Sequence, residues 1–264
     1  MTIFGHIKKF ILIFLKYASL VFFSLVAIIP LVSCVITAFK PDAEYNSTNV
    51  MTPPSSWLYF ENFVSAFKKA GMGRAFMNST IILIAVLILS VFIGTQLAYV
   101  LNRFQFFGNT LIRNLFLVAC QLPGVAMQIA VYEMMYKLGF INNMFGYILM
   151  TCGTDVISIY IYIQFFENID YSLDESAIMD GASYFTIFYK ILLPLLKPAI
   201  VTACILKGVG TYNEYYNANL YLQDKKRYAT VATSLYTFVG PLGSKYNLIC
   251  AGVIISLIPA LVVF

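Results

Sequence analysis

Apolar runs long enough to cross a lipid bilayer dominate this chain and leave few folds open to it. Six can be marked, at about residues 10–39, 76–101, 110–136, 144–166, 195–218 and 247–264. A hydrocarbon core of about 30 Å is crossed by roughly 20 apolar residues in a helix. Backbone polar groups in lipid must be bonded internally, so only helices or a closed barrel can span. The runs are continuous, with no ten-residue alternation, which excludes the barrel. Charged residues make up 11% of the 264 and hydrophobic ones 60%, whereas a soluble domain carries about a quarter charged. The expected fold is therefore all-α: a polytopic membrane protein of about six transmembrane helices, organised as one domain over 1–264.

The first run follows a basic start, His6, Lys8 and Lys9. It is longer than the roughly 7–15 apolar residues of a secretory signal, so 10–39 reads as an uncleaved anchor with Lys16 near its cytoplasmic end. Residues 40–74 are polar and hold Pro41, Pro53, Pro54 and the single tryptophan, Trp57. Within them, Glu61 to Ala70 has the pattern of a short amphipathic helix suited to the membrane interface. Core helices are expected over 76–264, interrupted by a polar loop at 167–198. Pro30, Pro123 and Pro259 fall inside or beside spans and are expected to kink them. Residues 102–109 form a turn, and Glu133 with Lys137 has the acid-first spacing of a helical salt pair.

Several chemistries are excluded. Cysteines 34, 120, 152, 204 and 250 lie in or beside apolar runs with no CxxC pairing, and His6 is the sole histidine. That composition offers no metal centre, disulfide framework or histidine-based catalysis. The net charge of +5 is scattered apart from Lys225-Lys226-Arg227, a solvated turn rather than a nucleic-acid surface. No GxxxxGK[ST] phosphate loop occurs, so the chain is not expected to be an enzyme or to hydrolyse ATP itself. Acids 167, 170, 174, 175 and 180 crowd the polar loop and read as a docking surface.

That loop carries most of the functional information. Ser172 stands three residues before Glu175, the capping-box arrangement for starting a helix, and Asp174 and Glu175 favour its positive end. The helix is expected to run to about Asp180. Gly181 can take the left-handed conformation that other residues resist, a second short helix begins near Ser183, and Pro194 marks re-entry into the membrane. Two short helices joined at a glycine make a compact knob.

Glu175-Ser176-Ala177, then Gly181 after three residues, then Ile191-x-Leu193-Pro194 after nine more, resemble the EAA motif of ATP-binding-cassette importer permeases, with Ser176 in place of the second alanine. Asp180-Gly181-Ala182 matches the variant of the carbohydrate-uptake, maltose-permease-like class. Asn78-Ser79-Thr80, Ala98-Tyr99-Val100-Leu101-Asn102-Arg103-Phe104, Leu138-Gly139-Phe140-Ile141-Asn142 and Ile258-Pro259-Ala260 are similar to that class as well. Tyr212-Asn213-Glu214 departs from its usual Trp-Asn-Asp or Trp-Asn-Glu.

The resemblance implies a multi-pass subunit of a prokaryotic inner (plasma) membrane. It pairs with a second permease as a heterodimer, docks two P-loop ATPase domains that bind ATP and magnesium, and receives cargo from an extracytoplasmic solute-binding protein. The knob is then a coupling helix: Glu175 pairs with a basic residue of the ATPase, Gly181 permits the turn, and Ala177 and Ala182 keep the contact close. Lysine and arginine counts do not by themselves choose an orientation; the resemblance implies a cytoplasmic N-terminus. It also implies a polar tail beyond Phe264, so the sequence is expected to be shortened there.

Ionisable residues inside spans are functional candidates, and Asp155, Lys207 and Glu214 qualify, the last two seven apart on one helical face. Gln121, Gln128, Tyr212, Asn213 and Asn217 are further candidates for the substrate path, and the 19 tyrosines include rings suited to sugars as well as interfacial anchors. The expected cargo is a sugar or oligosaccharide. Two alternatives stay open: the same machinery carrying glycerol phosphate or a polyamine, and an ion-coupled secondary transporter, which usually shows internal inverted repeats.

Overall fold

A computed structural model describes residues 3–153, 155–240 and 243–263, with side chains from Lys9 to Leu261. The side chains of His6 and Lys8, and residue Phe264, lie outside the described residues. Among the described residues the architecture is helical apart from one two-stranded ribbon, Val239–Gly240 against Gly243–Ser244. Their contacts fall into two compact units, one running to Met72 and resuming at Leu235–Val263, the other Gly73–Ser234.

In the first unit the anchor helix, Ile3–Ala38, packs against Tyr246–Val263, as does the short helix Glu61–Lys69. At about 1.5 Å per residue, the apolar stretch Lys9–Ala38 exceeds the thickness of a hydrocarbon core. Most of its side chains are exposed, as expected of a surface meant for lipid or a partner helix. Of the carbonyls at its end, Ile36 O and Thr37 O accept from Phe39 N and Lys40 N, and Asn62 Nδ2 donates to Ala38 O and Lys40 O at 2.8 Å each. A helix forms at Glu61–Lys69 as expected, but the face it buries is Asn62 and Ala66, while Val64 and Phe67 are exposed along with Lys68 and Lys69. Phe39 stacks edge-on against Trp57 and Phe60 and leans on Phe63.

In the second unit, which begins one residue into it, the helix Met72–Arg103 is unbroken. The other spans are not. The expected continuous helices 110–136, 144–166 and 195–218 are each divided. Asn109–Gln121 meets Gly124–Lys137 at 104°, and Tyr184–Leu195 meets Lys197–Asn213 at 71°. Met144–Gly153 and Val156–Glu167 are separate helices, with Asp155 preceding the second. Pro123 explains the first: its ring pushes Leu122 into the extended region (ψ 124°) and it has no N–H to continue the helix. Pro30 and Pro259 sit inside continuous helices. With each bent pair taken as one span, and the shorter Tyr246–Leu261 as another, the chain has about six.

Among the described residues two larger apolar cores organise this unit, beside a small one of Ala75, Ala229 and Val231. One gathers Ile82, Val86, Tyr147, Tyr221 and Leu222. The other joins Ala98, Tyr99, Tyr162, Phe166, Ile187, Phe188 and Leu192, and it is the floor of the polar loop. The segment 226–231 is pinned by three residues near the start of Met72–Arg103. Asn78 Nδ2 donates to Arg227 O and Ala229 O, Ser79 Oγ accepts from Val231 N, and Arg74 donates to Lys226 O. Glu133 and Lys137 pair at 3.2 Å on the surface.

Candidate functional site

The knob is built as its sequence suggests, with a different cap. Ser172 is the first helical residue of Ser172–Met179 and does not form a capping box. Asp170 takes that role, its Oδ1 accepting from Ser172 N at 2.9 Å, and this bond holds the Asp170 carboxyl below its usual pKa. The helix ends in a paired reversal: Gly181 N donates to Ile178 O and Ala182 N to Ala177 O, both at 2.9 Å, the bonding of a Schellman motif. Gly181 stands at φ +81° with open space around it. Ser183 then caps the next helix, accepting from Thr186 N at 3.3 Å.

That helix, Tyr184–Leu195, is wider than an α-helix over Ile187–Leu192, a π-type segment of the sort often found where function needs a register shift. The shift turns Ile187, Phe188 and Leu192 into the core, with Ile191 and Leu193 half-buried beside them and Pro194 exposed.

The structure sorts the motif residues into two sets. Glu175, Ser176, Asp180 and Gly181 are exposed. Beside them stand Met179 and Phe185, 87% and 78% exposed, with Leu173, Ile178 and Tyr184. This is an apolar face carrying two carboxylates. Ala177 and Ala182 face the other way. Ala177 is buried in the floor core and the half-buried Ala182 packs on it, so their small size seats the knob on its own bundle. The five crowded acids are not one docking surface either. Glu167 pairs with Arg113 at 2.9 Å, Asp170 is the cap, and Asp174 is buried. Asp174 alone of the five is withdrawn from the surface; Glu167, Asp170, Glu175 and Asp180 are exposed.

Asp174 meets a residue that the sequence did not single out as a site. Arg103, last in Met72–Arg103, pairs with Asp174 Oδ2 at 3.1 Å, their side chains 8% and 5% exposed. The same guanidinium donates to Ile169 O at 2.9 Å, reaches Phe166 O at 3.5 Å, and lies over the Tyr171 ring. Burial pushes the Asp174 carboxyl up in pKa, against the opposing pull of Arg103. The only signal in the sequence was the Ala98–Phe104 pattern, which names Arg103 without naming its partner 71 positions on.

The substrate-path candidates are spread out. Gln128 Nε2 donates to Tyr221 OH at 2.8 Å, and Gln121 is exposed at a helix end. Lys207 Nζ donates to Thr151 O at 2.8 Å, closing the end of Met144–Gly153. Asp155 precedes Val156–Glu167 with Oδ2 buried and without a hydrogen-bond partner among the described residues. Asn213 Nδ2 bonds Val209 O in its own helix, and Tyr212 packs beside Ala75 and Val231. Glu214 lies past the helix end in extended conformation (ψ 106°) and accepts from Asn217 N, so it does not share a helical face with Lys207. A cavity of about 340 Å³ lies among Leu87, Val91, Phe92, Phe188 and Cys204; it is apolar and contains none of these candidates.

Comparison with known proteins agrees with this arrangement. A permease of Bacillus subtilis (strain 168), described as probable ABC transporter permease protein YurM, is 32% identical over 245 residues, covering 89% of this chain and 77% of its own. The arabinooligosaccharides transport system permease protein AraQ of Halalkalibacterium halodurans is 26% identical over 257 residues, covering 96% and 91%. A solved bacterial ABC transporter involved in import of the acidic polysaccharide alginate has the same fold, with a TM-score of 0.85 at 21% identity over 97% of this chain and 95% of that one. Residues 87–264 match the family of binding-protein-dependent transport system inner membrane components, and with the span architecture and the knob in place the chain belongs to that family.

Proposed function

We propose that this chain forms one half of the membrane path of an ATP-driven oligosaccharide importer and takes its drive through the knob at 172–195. As a member of its family it is a multi-pass inner-membrane transport subunit. The finer assembly is part of the proposal: a second, different permease, two ATPase domains holding ATP and magnesium, and an extracytoplasmic binding protein that delivers the sugar.

The observation that carries the reading is the outward face of the knob. Met179 and Phe185 stand almost fully exposed, Met179 with Glu175 on the helix Ser172–Met179 and Phe185 on the helix after the Gly181 turn, and the first of these helices is anchored on its other side by Ala177 and Asp174. Exposed apolar side chains rimmed by charge mark a protein contact. A rigid knob of this chemistry suits a cleft on a soluble ATPase, with Glu175 meeting a basic residue there. ATP binding draws the ATPases together, the knobs move with them, and the broken spans supply bends about which the path can change the side to which it opens. Relatives named for arabinooligosaccharides, maltodextrin and melibiose/raffinose/stachyose support a sugar cargo over glycerol phosphate or a polyamine.

Glu175→Lys and Gly181→Asp are each expected to abolish uptake while the protein stays in the membrane. Normal uptake by both removes the coupling role. Calorimetry of the partner binding protein with neutral oligosaccharides, glycerol phosphate and spermidine decides the cargo.

A further inference from the structure

We propose that Arg103 and Asp174 form a rigid strut that carries knob movement into the helix Met72–Arg103, a positioning role distinct from docking. The proposal rests on the coupling role of the knob and extends it to how the movement is delivered.

The knob helix Ser172–Met179 is joined covalently to the spans on either side, through 168–171 and through the turn at 180–183. Neither connection reaches Met72–Arg103, which is distant in sequence. Arg103 makes that connection. Its Nη2 forms an ion pair with the Asp174 carboxylate in the first turn of the knob and donates to the Ile169 carbonyl in the approach to it, while Nη1 reaches Asn102 Oδ1 at 3.3 Å and, at the long distance of 3.5 Å, the Phe166 carbonyl at the end of Val156–Glu167. A planar, permanently charged fork can do this where a lysine head cannot.

Polarity favours each contact. A cation suits the negative C-terminal end of one helix, and an anion suits the positive N-terminal end of the next. Both side chains are almost fully buried, with the Tyr171 ring over the guanidinium. Water therefore does little to loosen the pair, and buried charges are screened much less by salt. Just before Arg103, Tyr99 packs against Phe104, Phe166 and Phe188, so the strut is backed by the aromatic floor under the knob. A push on the outer face of Ser172–Met179 thus reaches Met72–Arg103 through a buried charged fork and a packed ring cluster, which meets the outer face only at Tyr184, against Phe104.

The test uses the whole purified complex with its ATPase, reconstituted in nanodiscs, with cysteines 34, 120, 152, 204 and 250 replaced by alanine. New cysteines at Asn219 and Lys226, both exposed on the side opposite the knob in the inferred topology, are labelled with an impermeant maleimide, with and without ATP and vanadate. Allosteric couplings are ordinarily about 5- to 150-fold, and a change in labelling rate within that range is expected for the parent complex. In Arg103→Ala, and in the more conservative Asp174→Asn, the ratio falls toward one while the ATPase stays bound and continues to hydrolyse ATP.

An unchanged ratio in Asp174→Asn together with Arg103→Ala overturns the strut and leaves docking intact. Loss of the bound ATPase in Asp174→Asn also overturns it, because the pair would then maintain the docking face. A parent complex that binds ATPase but shows no ATP-dependent labelling change at either position defeats the coupling role itself, and the strut with it.

Discussion

Replacing Gly181 isolates the backbone contribution of the knob from its contacts. A Cβ at this position would meet nothing within 4 Å, so no clash clouds the result, and the whole effect comes from φ +81°. For an L-residue the left-handed region costs roughly 1–2 kcal/mol. Gly181→Ala is expected to incur that cost, Gly181→Asn less because asparagine tolerates the region, and Gly181→Val more because its branched Cβ resists it. If the strained turn relaxes in the free permease and has to re-form on docking, the full penalty appears in the docking constant. One to two kcal/mol corresponds to about a 5- to 30-fold weakening. The assay is titration of the purified ATPase onto nanodisc-embedded permease, reading affinity for each variant. The expected order of affinity is Gly, Asn, Ala, Val. Equal affinity for Gly181→Val and the parent would refute the reasoning, since the reversal would then not be what presents the docking face.

Two further predictions follow from the same sorting of inner and outer residues. Ala177→Leu overpacks the floor core, which ordinarily costs about 1–3 kcal/mol, and should lower the thermal midpoint of the solubilised protein, whereas Ser176→Leu on the exposed side should leave that midpoint nearly unchanged. Away from the knob, Asp42 is bonded by Asn247 and paired with Lys245, which holds its carboxyl below the usual 3.8. The folded state therefore gives up that proton more readily than the unfolded state. The stabilisation is present above pH 3.8 and is lost as pH falls through the lower folded value, so the midpoint should drop on acidification in that window, and Asp42→Asn should flatten the drop.

Much of the knob was legible because the residues that shape it act locally. Gly181 has few alternatives to a reversal, Ser183 caps the helix beside it, and the apolar runs on both sides require a return to the membrane. The cap at the start was misassigned because Asp170 and Ser172 are both good capping residues two positions apart, and only the backbone decides which one precedes the helix. Hidden breaks in the spans have a different cause. An apolar run reads the same whether its helix is straight or bent, and Pro123 divides one run while Pro30 and Pro259 leave theirs whole. The division depends on packing that periodicity does not record.

The burial of Asp174 was invisible for a third reason. Among five acids in one polar loop, nothing local distinguishes the one that turns inward, because the residue that receives it, Arg103, ends a helix 71 positions earlier. The substrate-path candidates suffered the same way. Lys207 and Glu214 share a face only if the helix continues past Asn213, and it ends there.

The central claim, that this chain works as the docked half of an ATP-driven importer, is tested most directly by purifying it in mild detergent and identifying what accompanies it by mass spectrometry. A second six-span permease and a P-loop ATPase are the expected companions. A chain that comes out alone, even after crosslinking in the membrane, would contradict the account.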